Sequence, residues 1–152
     1  MRSGHAIELT FDHRTEQRLV ALWDAVAAAG ISSFMPSVGS FPHISLAVYD
    51  EIDCQAVRPA LAQFAAQTAP LEVLLSTVGT FPGAEGVVYI GCVVTPELLG
   101  LHARLDALIT SMGFEAWPYY RPGAWVPHCT VAMEMDPETV CECVHLCRAS
   151  DV

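Results

Sequence analysis

The sequence predicts an α+β protein built as two pseudo-symmetric lobes, and three observations predict it. The order strand, helix, strand, helix occurs twice along the chain. The segments Pro42-His43-Ile44-Ser45 and Pro127-His128-Cys129-Thr130 stand at matching places in the two repeats. A chain of 152 residues is long enough for one substantial core and too short for two ordinary independent domains. A duplication of this kind implies one domain with two lobes, about 1–70 and 71–152, rather than βα units wound into one parallel sheet.

His5 to Phe11 reads as the first strand. Thr15 to Ala29 reads as a helix, because Leu19, Leu22, Trp23 and Val26 follow helical spacing and Gly30 can stop it. A loop rich in Ser, Pro and Gly leads to a second strand, His43 to Tyr49. Asp53 then caps a helix running to about Gln67 with Val57, Leu61 and Phe64 inward. The second half begins with a hairpin-like stretch, LEVLLSTVGTFPGAEG, followed by a β-branched strand from Val87 to Val94. Thr95 and Pro96 are an N-cap and a first helical position, and that helix ends at Gly113. Phe114 to Tyr120 and a turn at Arg121, Pro122 and Gly123 lead into a strand from Trp125 to Met133. Asp136 and Pro137 open the last helix.

No apolar run reaches the roughly 18 residues of a membrane span, and the opening MRSGHAIELTFD lacks the apolar stretch of a secretory signal, so a cytoplasmic protein without membrane contact is expected. The formal charge is −10, with seven Arg, no Lys and seventeen acidic residues. Such a field repels long nucleic acid, whereas a small phosphorylated ligand remains compatible with it through a local Arg and a few aimed donors. Six scattered cysteines with no secretory signal predict reduced thiols.

Residues two apart in a strand share a face. His43 and Ser45 therefore point one way, as do His128 and Thr130, while Ile44, Leu46, Cys129 and Val131 point toward the helices. Splitting a phosphodiester with water needs a base for the nucleophile, an acid for the leaving oxygen and donors for the non-bridging oxygens. Two imidazoles and two hydroxyls supply these, and an unperturbed pKa of roughly 6.5 lets one ring be neutral and the other protonated. A lone His-x-Ser or His-x-Thr is more often structural. The matched pair, each with a preceding Pro and an apolar residue inside, favours catalysis.

The two motifs resemble the signature of the 2H phosphoesterase superfamily, and PGAWVPHCTVA is similar to the second motif of its bacterial 2′-5′ RNA ligase-like, or cyclic phosphodiesterase, branch. The resemblance covers nearly the whole chain. It implies a bilobal fold of two antiparallel sheets flanking a central cleft with helices outside, no metal or other cofactor, and chemistry on 2′,3′-cyclic phosphate or 2′-5′ linked nucleotides or short oligonucleotides. It also implies acid and base roles for His43 and His128, and phosphate binding by Ser45 and Thr130. For hydrolysis it assigns His128 as base and His43 as acid, an order that the nearly symmetric sequence does not itself give. The acidic composition points to a mononucleotide, a short RNA end or a metabolite with a cyclic phosphate. Chains of this branch usually carry a further strand after the last helix, so a monomer whose first lobe completes the sheet, or an edge-strand-mediated dimer, is expected.

Phe41, Tyr119, Tyr120, Arg121 and Trp125 flank the motifs and are candidate ligand contacts, an Arg for phosphate and aromatics for stacking; the bland alternative is that the aromatics fill turns against the core. In the tail, Cys141 and His145 share one helical face and Cys143 and Cys147 another, about 200° round, which argues against one zinc site and for buried thiols. His5, His13 and His102 are read as ordinary surface or strand residues, and Asp12, Asp50, Asp53 and Asp136 as turn or cap residues. Two rivals to the hydrolase stand beside it. One is a non-catalytic nucleotide-binding sensor or subunit using the same cleft. The other is RNA end-joining or 3′-end trimming, which predicts a basic track that this composition does not offer.

Overall fold

The computed structural model describes residues 4–150. Residues 1–3 and 151–152 lie outside that range. The described elements are β1 (His5–Thr10), α1 (His13–Ala28), α2 (Phe34–Ser37), β2 (His43–Tyr49), α3 (Cys54–Ala66), β3 (Leu75–Thr80), β4 (Val88–Cys92), α4 (Pro96–Ser111), a 3-10 turn (Pro118–Tyr120), β5 (His128–Ala132) and α5 (Pro137–Arg148). The architecture is α+β: β1 and β2 form a two-stranded sheet, and β3, β4 and β5 form a three-stranded antiparallel sheet in that order.

Four helices begin where side-chain acceptors can take the orphan N–H groups of a first turn. Asp12 accepts from the N–H of Arg14 and Thr15, Asp53 from Gln55 and Ala56, Thr95 from Leu98, and Asp136 from Thr139. The Asp12 cap starts α1 at His13, two residues before the expected start at Thr15. Three expectations change. Trp125 to Pro127 lie outside β5, which is confined to His128–Ala132, because Ala124 and Trp125 donate their N–H groups back to Arg121 in a turn. The Ser- and Pro-containing loop before β2 holds the short helix α2, anchored by buried Met35. Of the three residues expected to point inward from α3, only Val57 is fully buried.

The chain divides into two compact units, neither of which follows a half of the sequence. Unit 1 comprises Met1–Glu8, Ser45–Leu74 and Val93–Pro127; unit 2 comprises Leu9–Ile44, Leu75–Cys92 and His128–Val152. The chain passes from one unit to the other after Glu8, Ile44, Leu74, Cys92 and Pro127, so a division near residue 70 is one of five. The reason is visible in unit 2, where Leu19, Leu22, Trp23 and Val26 of α1 bury their apolar stripe with Val88 and Ile90 of β4, Cys129 and Val131 of β5, and Cys143 and Cys147 of α5. A helix from the first half thus closes the core of a sheet from the second.

Unit 1 is organised around α4. Leu98, Leu101, Leu105 and Ile109 are buried along one face, and His102 sits among them at 2% exposure. The expectation of an ordinary surface or strand residue at 102 is corrected here. Its Nε2 lies 3.1 Å from the carbonyl of Leu46 and 2.9 Å from that of Tyr120. Carbonyls only accept, so Nε2 carries the proton and serves both oxygens. The imidazole also stacks on Trp125, with ring centroids 4.0 Å apart and planes 8° from parallel. No described helix is long and apolar enough to cross a membrane.

Candidate active site

The first motif occupies the start of β2. Pro42, Ile44 and Leu46 are buried, whereas His43 and Ser45 are partly exposed, the alternation that a strand imposes. His43 Nδ1 lies 2.6 Å from the carbonyl oxygen of Phe41. That oxygen has no proton to give, so Nδ1 is the donor. The Phe41 ring, 46% exposed, stands edge-on to the imidazole with centroids 5.5 Å apart.

The second motif forms β5 with the same alternation: His128 and Thr130 partly exposed, Cys129 and Val131 buried. His128 is boxed by aromatics, Phe81 at 4.9 Å and Tyr89 at 5.0 Å between centroids, and these two rings lie 4.6 Å from each other. Register explains the box. Thr77, Gly91 and His128 form one row across β3, β4 and β5, and Gly79, Tyr89 and Thr130 form the next, all on one face. The glycines make the room: a Cβ at Gly79 would enter the Tyr89 ring, and one at Gly91 would meet the Thr77 hydroxyl.

Within unit 2 the two motifs approach each other. The backbone N–H of His43 is hydrogen-bonded to the thiol of Cys129, the residue directly after His128. Burial pushes that thiol up to about 12, so it stays protonated and serves as packing rather than as a nucleophile. An indole holds each motif from behind. Trp23 Nε1 donates to the Thr130 carbonyl at 3.1 Å, and Trp125 Nε1 donates to the Ser45 carbonyl at 2.9 Å.

A family model for the 2′-5′ RNA ligase superfamily matches residues 19–148. The chain belongs to that superfamily. This agrees with the 2H phosphoesterase resemblance of its two motifs. A comparison with curated proteins finds no match. The match to the 2′-5′ RNA ligase superfamily spans both motif strands and the rings of Phe41, Phe81 and Tyr89 beside the two imidazoles.

The remaining candidates separate. Trp125 is 8% exposed, with its N–H committed to Ser45 and its face to His102, so it is a core residue and the stacking role expected of it is corrected. Arg121 is occupied as well: Nε donates to the Ala116 carbonyl, and NH2 pairs with Glu115, both at 2.9 Å. Tyr119 is 79% exposed, and Tyr120 gives its carbonyl to His102. These four residues belong to unit 1, whereas Phe41, His43, His128 and Thr130 belong to unit 2. In the tail, Cys143 and Cys147 are buried on α5 and Cys141 and His145 are exposed, as their helical spacing requires. The Cys143 thiol is pushed up by donating to Cys147 and by burial, and Cys147 is lowered by accepting that bond.

Sequence reasoning missed Trp23, Thr77, Phe81, Tyr89 and His102. Tyr89 and Gly91 alternate on one face of a recognisable strand, which is a usable signal. The position of Phe81 over His128 depends on the β3–β4 pairing, which no local pattern announces.

Proposed function

We propose that the protein is a metal-independent phosphoesterase that hydrolyses 2′,3′-cyclic phosphate or 2′-5′ linked nucleotides or short oligonucleotides, with His43 and His128 as the acid/base pair and Ser45 and Thr130 as donors to the phosphate oxygens. The observation that carries this reading is the approach of the two motifs through the His43 N–H and the Cys129 thiol, with both imidazoles partly exposed and backed by fixed partners. In the forward step His128 takes a proton from water as its oxygen bonds to phosphorus, and His43 Nε2 gives a proton to the departing ribose oxygen as the P–O bond breaks. The Phe41 carbonyl supports the second role by holding Nδ1–H and leaving Nε2 as the transferring atom. Hydroxyl donors placed where negative charge gathers lower the barrier without proton bookkeeping. The net charge of −10 and the occupied Arg121 favour a small substrate over a polynucleotide, and a cytoplasmic monomer or edge-paired dimer fits this role.

The test is hydrolysis with EDTA present against 2′,3′-cyclic nucleotides and short 2′-5′ linked oligonucleotides, read by phosphorus NMR. Conversion to a single phosphate regioisomer, abolished in His43→Ala and His128→Ala, is expected. Hydrolysis that survives in the double variant overturns the mechanism. Tight nucleotide binding with no turnover by the unaltered protein moves the assignment to a nucleotide sensor.

A further inference from the structure

The two motif strands share a device that lies outside the acid/base pair. β2 and β5 each have a single strand neighbour among the described residues, since the sheet orders are β1-β2 and β3-β4-β5. A strand at the margin of a sheet presents main-chain carbonyls that need donors. In both strands the carbonyl of the hydroxyl residue is reached by a buried indole N–H, Trp23 on Thr130 and Trp125 on Ser45; in β2 the carbonyls of Leu46 and Val48 also have donors, the His102 Nε2–H and the Trp117 backbone N–H. The residues served by the indoles are the two hydroxyl residues of the motifs. The two tryptophans come from unlike places, one from the middle of α1 and the other from the turn preceding β5. Each bond lies within one unit, Trp23 and Thr130 in unit 2, Trp125 and Ser45 in unit 1.

We infer that Trp23 and Trp125 are positioning residues, one for each motif strand, which fix Thr130 and Ser45 by their main-chain carbonyls and so hold the two hydroxyls where they meet phosphate oxygens. The inference rests on the phosphoesterase reading above. Neither indole touches the reacting atoms; each acts through the backbone of the residue that does. Trp125 is braced further, because His102 stacks on its ring and gives its own N–H to Leu46, the next residue of β2. Trp23 is braced by the apolar core of unit 2. A hydroxyl displaced by a fraction of an ångström loses transition-state contact while the fold persists, which is how a remote hydrogen bond enters a rate.

The experiment is a set of double-mutant cycles on kcat/KM with a 2′,3′-cyclic nucleotide. Trp23→Phe and Trp125→Phe keep an aromatic ring and remove the donor; each is expected to lower kcat/KM about tenfold. The informative quantity is coupling. Trp23→Phe loses most of its effect in a Thr130→Ala background, and Trp125→Phe does so in Ser45→Ala, while the crossed pairs couple less. A general loss of stability would show no such pairing. If either phenylalanine variant fails to fold, β-(3-benzothienyl)alanine at that position keeps both rings and replaces the N–H with sulfur. Matched coupling no larger than crossed coupling overturns the inference while turnover upholds the phosphoesterase; absence of turnover by the unaltered protein overturns both. The three indole N–H resonances give an independent check. Those of Trp23 and Trp125 exchange more slowly than that of Trp117, whose Nε1 is buried without a hydrogen-bond partner among the described residues; equal exchange removes the structural basis.

Discussion

The two motif strands are alike in what supports them and unlike in what surrounds their imidazoles. Both place a histidine and a hydroxyl residue at partly exposed positions between buried apolar ones, and both receive an indole N–H at the hydroxyl residue's carbonyl. Around the rings the likeness ends. His128 is enclosed by Phe81 and Tyr89, whereas His43 has a carbonyl on Nδ1 and the edge of one exposed phenylalanine. Under the proposed mechanism two like motif strands take two distinct proton-transfer roles, because the backbone sets the positions while neighbours outside the motifs set each ring's environment.

Breaking either ring tests the shared part of the comparison. His43→Ala or His128→Ala is expected to lower kcat by about a thousandfold, measured on the same cyclic nucleotide at saturating substrate. Removing a hydroxyl is the next effect in size: Thr130→Ala or Ser45→Ala should cost about a hundredfold in kcat/KM, and a loss confined to KM would place these hydroxyls in uniform binding rather than at the transition state.

The unlike part is probed by the aromatics. Phe81→Ala should shift the ring-proton resonances of His128, leave those of His43 in place, and lower kcat about tenfold; Phe41→Ala should do the reverse to the resonances. A common response from both imidazoles would mean that the two environments are not independent.

The smallest expected effect concerns the helix caps of unit 2. The Thr15 hydroxyl and backbone N–H hold Asp12 below the usual carboxylate range, and the Thr139 N–H does the same for Asp136. A carboxyl whose folded pKa is depressed contributes stability above its unfolded value, near 3.8, and loses it as pH falls through the lower folded value. Asp12→Asn and Asp136→Asn should therefore lower the melting temperature slightly at pH 6 and flatten its fall below pH about 4. An unchanged acid limb would place the acid-sensitive groups elsewhere.

Most elements are legible in the sequence because their ends carry chemistry: Asp53, Thr95 and Asp136 each announce a helix by an acceptor at the right spacing, and β2 is readable to the residue from its alternation. The motif residues are legible for the same reason, since period two is a local property. What escapes is set by pairing. Nothing near Phe81 in sequence tells that it meets His128, and nothing near Trp23 tells that its indole seeks Thr130. His102 looks ordinary in sequence because a helical stripe predicts burial for apolar residues, while a buried imidazole needs two carbonyls and a ring that only the fold supplies. Trp125 looks like a ligand contact from its closeness to a motif histidine, but its N–H has a better partner in the interior.

The interleaving of the two units has a consequence for the chain as a divisible object. The segment 69–74 joins the two sequence halves without regular structure, so it is a natural place to cut, yet a cut there leaves each fragment holding part of both cores and the whole of neither. The N-terminal piece keeps α1 without the sheet that covers its apolar stripe, and the C-terminal piece keeps α4 without the strand whose carbonyl His102 serves. Two such fragments, made separately, should be unstructured alone and regain order only on mixing, which makes this small protein a ready-made split reporter.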